Sequence, residues 1–74
     1  MKHATMKLHD HINRLRLARG LTQEAAARKA GISNSAWSHI EQGGKSPRIE
    51  TLAKIAKALN TTAGKILAHT EDCT

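Results

Sequence analysis

With 74 residues, 12 Lys and Arg against six Asp and Glu, and a formal net charge of +6, the chain is sized for one small basic domain and favours a polyanionic partner. Trp37 is the only aromatic residue, which leaves too few rings for a single-strand stacking surface. Cys73 is alone, no Cys/His spacing reads as a zinc site, and no apolar run is long enough for a membrane span, so a cytoplasmic protein without membrane contact is expected.

Residues 1–7 are polar and patternless and read as an N-terminal arm. Met1-Lys2-His3 has the amine-amide-amide-imidazole order that captures copper(II) or nickel(II), but neither a metal nor a cofactor is expected to serve the function. The first helix is predicted from about Leu8 to Arg19, with Leu8, Ile12 and Leu15 inward and Gly20 closing it. His9 and His11 lie two apart, do not face one another, and read as surface residues.

Thr22 is an N-cap for a second helix, Gln23 to Ala30, which Gly31 should end in a left-handed conformation. Its inward positions, Ala26, Ala27 and Ala30, are small, so a following helix can approach closely across a short turn. Trp37 is the residue that restores the missing volume. Gln23 sits in the first turn, where free amides and the helix dipole favour a phosphate.

Ser33 caps a third helix, Asn34 to Gln42, stopped by Gly43-Gly44. Trp37, Ile40 and Glu41 fall on one side; Asn34, Ser35, Ser38, His39 and Gln42 fall on the other. A merely solvated face recruits Glu and Lys, which are stronger helix formers. Asn, Ser and His are side chains that bond base edges in a major groove, so Asn34, Ser35 and His39, with Ser38 as a marginal fourth, are the candidate base contacts. Lys45, in the following turn, is a candidate phosphate contact.

Pro47 leads into a fourth helix, about Ile49 to Leu59, whose core stripe is Ile49, Leu52, Ile55, Ala56 and Leu59. Asn60 is a left-handed stop, Thr62 a cap, and a last short helix carries Ile66 and Leu67, with residues 69–74 left as a tail.

From Ile12 to Leu67 the chain resembles the lambda-repressor-like, Cro-type (Xre) helix-turn-helix domains. The likeness rests on the IxxLRxxRGLTQ pattern at Ile12 to Gln23, then AGIS, SHIEQGGKSP and IETLAKIAKALNTT. It implies an all-α, compact five-helix domain over residues 8–68, with the helix-turn-helix at helices two and three. It also implies an ion pair between Arg16 and Glu41 on the surface, worth about 0–1 kcal/mol, with Arg16 beside a phosphate. By the same likeness Gln23 bonds the DNA backbone, Arg48 reaches the minor groove, and Leu59, Ile66 and Leu67 form a two-fold interface, with the core as the alternative place for Ile66.

The expected function is a sequence-specific, double-stranded DNA-binding transcriptional regulator, a repressor or autoregulator, acting as a homodimer on a near-palindromic operator. The alternatives are an antitoxin that binds a toxin protein and represses its own operon, or a controller of a restriction-modification operon. No small-molecule pocket is evident in 74 residues, so control is expected from concentration or a protein partner. An enzyme is not expected: despite five histidines, no carboxylate or nucleophile is spaced to work with His39.

Overall fold

The computed structural model describes residues 7–44 and 46–68. It has five helices: α1 (Leu8–Ala18), α2 (Gln23–Ala30), α3 (Asn34–Glu41), α4 (Ile49–Ala58) and α5 (Ala63–Ala68). Among the described residues there is no strand, and no helix is long and apolar enough to cross a membrane.

The helix starts follow local chemistry. The Thr22 and Ser33 hydroxyls each accept an amide three residues on, from Ala25 and Ala36, at 3.0 Å. Thr62 does the same for Lys65 at 3.1 Å. The helix ends share another device. Gly31 is left-handed at φ 76°, which brings the amides of Gly31 and Ile32 back onto the carbonyls of Arg28 and Ala27. The same return closes α1, α3 and α4, with Asn60 (φ 61°) taking the glycine's place after α4. These four helices therefore stop where the sequence puts Gly or Asn, within a residue of the predicted bounds.

These stops fold the helices around one core. α2 lies between α3 and α4, α1 packs on α3 and α5, and α4 packs on α5. Ala26, Ala27 and Ala30 are buried, and the space they leave is filled by Trp37, Ile12, Ile55, Leu59 and Ile66, all fully enclosed. Arg19 donates its Nε to the Leu59 carbonyl at 2.8 Å, tying the end of α1 to the end of α4.

Three apolar expectations are corrected. Leu59 and Ile66, assigned to a two-fold interface, are 0 % exposed within the single chain and have no surface to offer another. The reason is that α5 turns back onto α4 and α1, enclosing both. Leu67 stays partly exposed at the edge of the core. Ile49, assigned to the core, is 64 % exposed. It shares the face of Leu52 and Ala56 but is the first residue of α4, at the outer end of that stripe.

Because Ile66 belongs to the core of one chain, Ile66→Val should lower unfolding free energy by about 0.5–1.5 kcal/mol. The loss should be the same at all protein concentrations in urea titrations. A loss that grows on dilution would place Ile66 in a subunit contact.

Candidate nucleic-acid interface

The centre of the site is the Glu41 carboxylate at the last residue of α3. Four side chains from three helices donate to it. Asn13 Nδ2 reaches Oε1 at 2.9 Å and Gln23 Nε2 reaches the same oxygen at 3.0 Å. Arg16 brings Nε to Oε2 at 2.7 Å and Nη2 to Oε1 at 3.2 Å. The Trp37 indole N–H, one turn earlier on α3, closes the set on Oε2. A carboxylate has about four lone-pair sites, so this one is saturated.

The ion pair expected on the surface is thus buried: the side chains of Arg16 and Glu41 are 11 % and 4 % exposed. The apolar side of α3 carries the carboxylate inward beside Trp37, and α1 and α2 close over it. Arg16 also donates Nη1 to the Leu21 carbonyl at 2.7 Å. The guanidinium expected beside a phosphate is instead turned inward, engaged at all three nitrogens.

Burial by itself would raise the Glu41 pKa, but the hydrogen bonds from Arg16, Gln23, Asn13 and Trp37 outweigh it and lower the value from 4.5 to about 2. Asn13 and the Trp37 indole were not foreseen as members of this set. Asn13 follows His9 by four residues and precedes Arg16 by three, so the three share the face of α1 turned to the end of α3.

His9 also departs from its surface assignment. It is half-buried, and its ring lies over Gly43, where an added Cβ would come within 2.8 Å of Cδ2. Its Nδ1 stands 3.4 Å from Asp10. His11 is half-buried too. The absent side chains of the Gly43-Gly44 pair could have signalled such close approach.

The opposite face of α3 is open. Asn34, Ser35 and His39 are exposed, and none of their side chains hydrogen-bonds another described residue. The His39 ring lies over Gly44, close enough that a Cβ there would meet Cε1 at 2.6 Å. Ser38 is half-buried and accepts from Gln42 Nε2 at 3.2 Å. A hollow of about 260 Å³ runs from α3 to the start of α4, and His39, Ser46 and Arg48 share its lining with Ala36, Ile40, Pro47 and Thr51. Arg48 precedes α4 with no side-chain cap of its own and is exposed. The structure therefore gathers Asn34, Ser35, His39 and Arg48 on the outer side of α3, with Gln23 fastened to Glu41 behind them. Lys45, the Met1-Lys2-His3 sequence and the tail lie outside the described residues.

A helix-turn-helix family model matches residues 12–66. The chain belongs to that family. It is similar to an uncharacterized helix-turn-helix-type transcriptional regulator, y4dJ, of Sinorhizobium fredii, with 34% identity over 59 residues covering 80% of this chain and 77% of the relative. It is 32% identical over 60 residues to the cryptic phage CTXphi transcriptional repressor RstR of Vibrio cholerae, covering 81% of this chain but 54% of that longer protein. Among solved structures, the DNA-binding domain of the P22 c2 repressor superposes with a TM-score of 0.82 at 26% identity, covering 97% of this chain and 92% of that one. The P22 c2 repressor bound to a synthetic operator gives 0.76 at 27% identity, covering 84% and 94%. The Cro-type family likeness and the five-helix architecture both agree with these matches.

A carboxylate with a depressed pKa stabilises the fold above its unfolded value, and the benefit is lost as pH falls through the folded value. Unfolding free energy should therefore decline between about pH 4.5 and pH 2, each pH unit between the two values being worth about 1.4 kcal/mol. Carbon-13 NMR titration of the Glu41 side chain should give a midpoint near 2. A midpoint near 4.5 would show that the four donors do not hold the charge.

Proposed function

We propose that the chain is a DNA-binding transcriptional regulator that sets α3 into the major groove of duplex DNA as a homodimer. The observation that carries this reading is the division of α3 into two faces. Trp37, Ile40 and Glu41 are locked into the domain, while Asn34, Ser35 and His39 point outward with their hydrogen-bonding groups unspent.

In this arrangement Asn34 pairs with an adenine edge, and Ser35 and His39 read neighbouring pairs, with Ser38 in a lesser part. Gln23, whose Nε2 is fixed by one hydrogen bond to Glu41, donates its second amide hydrogen to a phosphate. Lys45 contributes a second phosphate contact. Arg48 extends from the start of α4 towards the minor groove, where narrowing concentrates negative potential. Arg16 acts through Glu41, by orienting Gln23, rather than on the DNA.

The homodimer binds a near-palindromic operator with half-site centres about 34 Å apart. Of the apolar residues first assigned to the two-fold contact, Leu67 keeps the exposure to serve it. The net charge of +6 suits long-range attraction to the duplex, and the protein acts in the cytoplasm on the nucleoid.

Selection from random duplexes, followed by titration at two salt concentrations, tests this division of labour. Asn34→Ala should lose about 1–3 kcal/mol of discrimination at one base pair in each half-site while keeping its salt dependence. Lys45→Ala should weaken all duplexes alike, with a salt slope shallower by about one. If Asn34→Ala weakens every sequence equally, the outer face of α3 does not read bases.

A further inference from the structure

A second concave surface lies apart from the face assigned to DNA. It is a hollow of about 480 Å³ between the C-terminal halves of α2 and α4, with Lys29, Ala30 and Gly31 on one wall and Lys54, Lys57 and Ala58 on the other. We infer that this hollow docks an acidic segment of a partner protein, with carboxylates at the three ammonium groups and aliphatic carbon on the alanine floor.

The first support is uncompensated charge. Lys29, Lys54 and Lys57 are exposed, and none forms an ion pair or hydrogen bond with a described residue. The acid of α2, Glu24, stands in the first turn away from the hollow and is occupied by Arg28 at 3.4 Å. On α4 the nearest acid in sequence is Glu50, in the first turn. Two of the lysines have an ordinary reason to be present, since Lys29 and Lys57 stand in the last turns of their helices, where cations offset the dipole. Lys54, a turn earlier, does not, and the dipole gives no reason for all three to surround one recess.

The second support is the floor. Ala30 and Ala58 are 6 % and 8 % exposed, and with Gly31 they give the lysines a small uncharged base. A phosphodiester chain, charged at every repeat, leaves that base without a partner; a peptide mixing Asp or Glu with aliphatic residues covers both parts. Finally, no residue of α3 lines the hollow, and neither do Gln23 or Arg48. Peptide and duplex therefore have separate footing on the molecule.

The probe is a fluorescein-labelled eight-residue peptide of alternating Glu and Leu, followed by anisotropy at about 50 and 150 mM salt. Two variants each remove two positive charges: Lys29→Gln with Lys54→Gln, one from each wall, and Arg14→Gln with Lys65→Gln elsewhere. Glutamine keeps helix propensity close to that of lysine, and circular dichroism checks that both variants fold. The wall variant should lose about tenfold or more in peptide affinity and the other less than about twofold, and peptide should stay bound when a random-sequence duplex is added in excess. Equal losses in the two variants would reduce the effect to net charge and overturn the assignment. So would displacement of the peptide by the duplex, which would give the lysines to DNA. Failure of the peptide to bind while the wall variant changes the sedimentation of the protein alone would give the hollow to a second copy, and also overturn it.

Discussion

The fold turns on one buried carboxylate. Glu41 ends α3, and its two oxygens collect donors from α1, α2 and α3 itself. Taking a carboxylate and a guanidinium out of water is costly, and it is tolerated only when the remaining lone pairs are filled. Here they are. Such a pair does not necessarily make a domain more stable than a packed apolar substitute would. What it supplies is direction: hydrogen bonds at 2.7–3.2 Å fix the rotation of α3 against α1 and α2 more narrowly than alanine packing alone.

That fixed rotation is what makes the outer face of α3 usable. The core beneath it sets small residues on α2 against Trp37 and Ile40 on α3, an arrangement that brings the two helices close. Trp37 does two things there, filling the space beside Ala26, Ala27 and Ala30 and spending its N–H on Glu41. Since side chains on a helix point in directions set by their spacing, locking Trp37 and Glu41 inward leaves Ser35 and His39 outward, while Asn34 shares the direction of Glu41 and is exposed as the first residue of the helix. Packing and exposed hydrogen-bonding groups are therefore divided within one eight-residue helix.

The turn after α3 is held from both flanks as well. His9 of α1 lies over Gly43, and His39 lies over Gly44. A side chain on either glycine would meet an imidazole, so the pair serves close approach in addition to ending the helix. The route of the chain from α3 into Pro47 and Arg48 thus depends on a contact thirty-four residues apart in sequence.

The sequence alone determined the helices, their caps and their stops, because these depend on neighbours three to five residues away: Thr22, Ser33 and Thr62 at the starts, Gly20, Gly31, Gly43 and Asn60 at the ends. It also determined which side of α3 is polar, since helical spacing does not wait for a partner. The pairing of Arg16 with Glu41 came from family likeness, but its burial did not, and Asn13 and the indole were not foreseen as donors. Periodicity marks a residue as apolar-facing without saying whether that face meets its own chain or another, which is why Leu59 and Ile66 could be read both as core and as interface until the fold enclosed them, and why Ile49 looked like core and proved exposed. Those distinctions depend on where α5 folds back and how α1 crosses the end of α3, and only the assembled helices decide which atoms are left facing water.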